Sequence, residues 1–237
     1  MTKDRGEGKL IGQITSGIDQ PDTFALKTIT FVFQQLPTWR DDSDRPVERS
    51  EDKLNLQLCK FLDTRARNDF PMVRFDHEVY QTGRRSVDLS ASLVEKTVIG
   101  AWLYTIYDPI LVLECKRLPA PSQDREKEYV TGGKERKSGG IQRFKLGLHG
   151  ADLDIMALVG YVQERSLHHW HRKVNEWISE LASGTISDSC VWNADELIEP
   201  IDKYISKGLA RYRSVHSRTS HKSKNEIQIH HLWIAMK

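Results

Sequence analysis

Apolar and polar residues fall along this chain in two rhythms, and their order predicts an α/β domain. Residues 46–67 place Leu54, Leu58, Phe61 and Leu62 at helical spacing, with Ser50 as an N-cap and Glu51 and Asp52 in the first turn, where the helix dipole favours acids. Residues 85–91 (RSVDLSA) and 109–118 (PILVLECKRL) read as strands. A short helix is expected from near Ser138 to Gly147 or Gly150, burying Ile141, Phe144 and Leu148. Residues 154–162 (DIMALVGYV) are apolar almost throughout, as interior strands of a parallel or mixed sheet tend to be.

Residues 166–183 form an amphipathic helix capped by Ser166, with Leu167, Trp170, Val174, Trp177, Ile178 and Leu181 on one side. Residues 193–209 predict a further helix, opened by an Asn193–Glu196 capping pair and bent at Pro200. The extended runs 210–218 and 227–235, separated by the polar SHKSKN stretch, predict a hairpin with a basic loop. Residues 22–39 predict a helix that stops near Leu36 because of Pro37, and residues 1–20 are expected to be loosely ordered. Residues 119–140, rich in charge, proline and glycine, read as a long exposed connection. This is one domain, residues 21–237, with its core at about 46–165 and C-terminal additions at 166–237.

One position conflicts with a purely structural role. Along the strand 109–118, Ile110, Val112, Glu114 and Lys116 share a face, so a carboxylate and an ammonium stand side by side at the exit of a buried strand. Burying charge is costly without a partner or a metal. Glu-x-Lys also occurs at Glu7, Glu51 and Glu135, but only the Glu114 copy follows an apolar β-branched run, and only it is preceded by a strand carrying an acid, Asp88. The bland alternative is a salt bridge at an ordinary strand end.

Val87-Asp88 followed by Glu114-Cys115-Lys116 resembles the signature of the PD-(D/E)xK nuclease superfamily, the fold of many restriction endonucleases and of repair and phage-defence nucleases. Val87 stands where that family usually has proline. The resemblance covers residues 48–162 and implies a restriction-endonuclease-like αβββαβ core, a mixed central sheet flanked by helices, followed here by extra C-terminal helices and a hairpin. It also implies hydrolysis of DNA phosphodiesters with Mg2+ or Mn2+. Asp88, Glu114 and the backbone carbonyl of Cys115 would hold the metal. Lys116 would assist the attacking water, as base or as electrostatic stabiliser. Glu51, with Glu48 as its competitor, would supply a helix acid. Gly140, Gln142, Arg143 and Lys145 would hold the phosphate backbone, and a homodimer is one arrangement the fold uses. Oxygen ligands and a hard cation suit phosphodiester chemistry. A catalytically silent nucleic-acid-binding or assembly module, or an RNA-cleaving enzyme, are the other expectations.

Composition changes this picture little. A net charge of +2 over 237 residues requires any polyanion grip to be local. Three widely spaced cysteines read as reduced thiols of a cytoplasmic protein. The histidines at 168, 169 and 171 have no acid or thiol at ligand spacing to make a zinc site. No stretch is apolar enough to span a membrane, so none is expected as a partner.

Overall fold

The computed structural model describes residues 20–80, 85–218 and 226–236. The expectation for residues 1–20 therefore lies, apart from Gln20, outside the described residues, as does most of the basic loop with Lys222 and Lys224. The elements run α1 (Pro21–Arg40), α2 (Glu51–Asp69), β1 (Val73–Tyr80), β2 (Ser86–Leu93), β3 (Thr97–Ile99), β4 (Trp102–Tyr104), β5 (Pro109–Leu118), α3 (Gly133–Arg136), α4 (Gly140–Lys145), β6 (Ile155–Val162), α5 (Leu167–Ala182), β7 (Glu199–Tyr204), β8 (Leu209–Ser217) and β9 (Glu226–Ala235).

Among the described residues a seven-stranded mixed sheet forms in the order β1-β2-β5-β6-β9-β8-β7, with β3 and β4 as a separate small hairpin. The pairs β5–β6 and β6–β9 are parallel and the others antiparallel. Helices cover both faces. α1 and α2 bury Ile29, Leu36, Leu54 and Leu58 against Leu111, Leu113 and Val159. α4 and α5 bury Ile141, Phe144, Trp170 and Trp177 against Val112, Leu158 and Trp233. Two apolar layers either side of a sheet buried on both faces explain why β5 and β6 are nearly continuous in hydrophobic residues. No described helix is long and apolar enough to cross a membrane.

Three expectations change. α1 runs through Pro37 to Arg40, because Trp39 is buried against Tyr161 and holds the last turn helical. The expected helix over 193–209 is replaced by β7, which pairs with β8 across a bulge at Pro200; pairing along the sheet edge overrides the local helical pattern. Residues 119–140 are not a fully exposed connection, since Tyr129 and Val130 are completely buried and a 3-10 turn and α3 lie within it.

Candidate functional site

The antiparallel pairing of β2 with β5 sets Leu89 opposite Leu113 and Ser90 opposite Val112. One step further along that register, Asp88 comes opposite Glu114. Asp88 Oδ2 accepts the backbone N–H of Cys115 at 2.7 Å. The first residue of α2 reaches the same strand tip from the side: Glu51 Oε1 lies 2.8 Å from Lys116 Nζ, and Oε2 accepts the N–H of Arg117 at 3.0 Å. Glu48 instead folds onto the helix start, accepting the N–H groups of Arg49 and Ser50. Those bonds and Lys53 hold its carboxyl down at about 2. Glu51 is therefore the acid of α2 that joins the cluster.

Glu114 is completely buried, and both its oxygens have protein partners: Arg143 from α4 at 2.9 Å, and Nδ1 of His149 from the loop before β6. Burial pushes the Glu114 carboxyl up, but His149, Lys116 and Arg143 outweigh it and keep it ionised below its usual range. Lys116, only 5% exposed, would lose its proton more readily through burial, yet Glu51, Asp88 and Glu114 together raise its pKa above normal. Asp88 differs. Burial and the charge of Glu114 drive its carboxyl up to about 8, against the opposing pull of Lys116 and the Cys115 N–H. Ionising Asp88 sets a second carboxylate beside the buried Glu114, with Lys116 shared among Asp88, Glu114 and Glu51.

The repulsion between those two carboxylates is what a divalent cation would offset, and Asp88 keeps partial access to solvent. Its carboxylate is a hard oxygen donor of the kind magnesium prefers. Among the described residues, no three His, Cys, Asp or Glu side chains stand together as a ready-made cage. Glu114 could join such a cation through the lone pairs that His149 and Arg143 leave free. The donor chemistry fits a hard ion, with Asp88 as its first ligand.

The residues expected to grip phosphate are placed differently from one another. Gly140 packs where a Cβ would lie 2.9 Å from both a Leu158 methyl and the Tyr129 carbonyl oxygen, so glycine here permits close packing of the helix start. Gln142 is buried and joins the 132–139 loop to α4, accepting from Gly132 N–H and donating to Gly133 C=O. Lys145 is buried on Glu196, with Nζ–O distances of 2.7 and 2.6 Å. Among these four, Arg143 alone keeps part of its side chain in solvent. His149 went unread in the sequence: it is an isolated histidine between Leu148 and Gly150, and nothing local signals its contact with a strand 35 residues earlier.

Comparison with known proteins leaves the site to be read from its own chemistry, since the chain matches no family model, no curated protein and no solved structure.

Proposed function

We propose that this protein is a divalent-metal-dependent nuclease of the PD-(D/E)xK type that hydrolyses DNA phosphodiesters, its αβββαβ segment being a restriction-endonuclease-like core. The observation that carries the reading is the convergence of Asp88, Glu114, Lys116 and Glu51 at adjacent strand and helix ends, where burial and Glu114 oppose the ionised form of Asp88. A magnesium- or manganese-type ion would supply the positive charge that neutralises the phosphate oxygens and acidifies a water. The chain's own groups do the rest. Asp88 would hold that ion through its ionised carboxylate. Glu51 fixes Lys116 and the strand end through two contacts. Lys116 stays cationic, because the three acids raise its pKa. It therefore acts as an electrostatic stabiliser of the phosphate and not as the base that deprotonates water. Three free thiols support a cytoplasmic setting, in restriction, repair or defence. A homodimer would bring two such sites to the two strands of a duplex.

The double engagement of Glu114 by Arg143 and His149 favours a second reading, a catalytically silent nucleic-acid-binding module in which protein cations replace the metal. The two separate in one experiment. Purified protein is incubated with linear, circular and single-stranded DNA and with RNA, with magnesium or chelator. Metal-dependent cutting should fall by about 100-fold or more in Lys116→Ala and Glu114→Ala. Binding without cutting supports the silent module, and cutting of RNA alone corrects the substrate. Equal cleavage by wild type and both variants removes these residues from the reaction.

A further inference from the structure

On the α4/α5 face of the sheet, outside the acidic site, an unbroken chain of hydrogen bonds crosses the core. Trp233 Nε1 lies 2.7 Å from Tyr129 Oη, which lies 2.8 Å from His231 Nδ1. His231 Nε2 is 2.8 Å from Ser214 Oγ, and that hydroxyl is 2.7 Å from His216 Nε2. His216 Nδ1 meets Glu196 Oε2 at 3.1 Å, and Lys145 Nζ closes the chain on the same oxygen at 2.6 Å. Ser214, His216, His231, Tyr129, Lys145 and Glu196 are all buried.

With both rings neutral, the two ends allow one direction. An indole N–H only donates and a carboxylate only accepts. Tyr129 therefore accepts the Trp233 N–H and donates its O–H to His231 Nδ1. His231 donates its Nε2–H to Ser214, Ser214 donates to His216 Nε2, and His216 donates from Nδ1 to Glu196. The two neutral rings then hold opposite tautomers, and every link is satisfied once. A proton added to His216 makes Nε2 a donor toward Ser214, which already accepts from His231, so the serine proton loses its acceptor. A proton added to His231 does the same to the Tyr129 hydroxyl.

The chain grips α4 at both ends. The carbonyls of Glu128, Tyr129 and Val130 accept the N–H groups of Gly140, Ile141 and Gln142, seating its first turn, while Lys145 at its last position is held by Glu196. α4 spans only Gly140–Lys145, too short to be stable alone, and it carries Arg143 to Glu114. We propose that this directional chain is an acid-sensitive latch that holds α4, and with it Arg143, against the sheet only while His216 and His231 are both neutral.

The surroundings agree. His216 faces Lys145 from α4 and Glu196 and Asp195 from the segment before β7; burial and Lys145 lower its pKa below the ordinary imidazole range against the pull of the two acids. His231 faces His216 from β8, its own neighbour His230, and His171 from α5, and burial with those three rings lowers its pKa further. With both folded values below the unfolded one, the folded state binds fewer protons than the unfolded chain, so latch stability is lost as pH falls below the ordinary imidazole range.

Imidazole nitrogen NMR on the whole protein at neutral pH should find His231 protonated on Nε2 and His216 on Nδ1. Amide exchange in α4 should rise about tenfold or more in Ser214→Ala, and in the wild type on acidification beyond the intrinsic pH effect, while Ser214→Thr, which keeps the hydroxyl, retains protection. A serine buried on β2, replaced as Ser90→Ala, should leave α4 unchanged. Either imidazole charged at neutral pH, the reverse tautomers, or α4 protection that is insensitive to acid in the wild type would overturn the latch. The wild-type measurements decide the matter even if Ser214→Ala does not fold. None of them depends on nuclease activity.

Discussion

Asp88→Asn is expected to unfold at a higher urea concentration than the wild type at about pH 9, and at the same concentration at about pH 4. The folded carboxyl titrates near 8 and the unfolded one near its ordinary 3.8. Between those values the folded protein binds a proton that the unfolded chain has released, so the Asp88 contribution to stability falls as pH rises through this window and is flat above it. At about 1.4 kcal/mol per unit the window corresponds to several kcal/mol. Solvent access at Asp88 makes that an upper bound. Asparagine still accepts the Cys115 N–H and carries no charge, so it avoids the penalty. Magnesium or manganese should raise wild-type stability at alkaline pH, by about 2.7 kcal/mol at a hundredfold excess over Kd, and leave Asp88→Asn unmoved. An Asp88→Asn protein whose stability tracks the wild type across the whole pH range would contradict the charge account of the site.

The second large effect lies at Glu196. Its carboxyl holds Lys145 and His216 and accepts the N–H of Ser217 at 2.9 Å, and despite burial those partners keep it down at about 2. Removing it leaves a completely buried ammonium offset only by the face of Trp192 and the more distant Asp188 carboxylate. Glu196→Ala should therefore cost about 3–5 kcal/mol, read as a lower midpoint in urea or heat. Adding Lys145→Met should restore part of the loss, because it removes the orphaned charge and leaves an apolar side chain of similar reach. A double variant less stable than Glu196→Ala alone would show that Lys145 contributes something other than a paired charge.

Legibility in the sequence followed the range of the forces involved. The strand over 109–118 was readable to the residue, because a strand buried on both faces opens here on an unbroken apolar run, Ile110 to Leu113. The stripe on α5 was also readable, and all six apolar residues assigned to it are buried. The meeting of Asp88, Glu51 and Lys116 had a signal, since acids beside an apolar strand are costly and conspicuous. Arg143 and His149 on Glu114 had none, because their contacts cross from a short helix and a loop to a strand. The pair Asn193–Glu196 looked like a helix cap, and their backbone contact does form. The glutamate side chain instead closes a core network whose other members lie on α4, β8, β9 and the connection after β5. Local pattern cannot distinguish a cap from a network anchor when both need the same acid.

The turn-back between β2 and β5 has a consequence for how this protein can change. Because those strands are antiparallel, residues 94–108, with the β3–β4 hairpin and its exposed Trp102 and Leu103, project from the end of the sheet opposite Asp88 and Glu114. Length and composition there are uncoupled from the spacing of the acids. Evolution can lengthen, trim or exchange that excursion to meet new molecules while the distance between the two carboxylates is inherited unaltered.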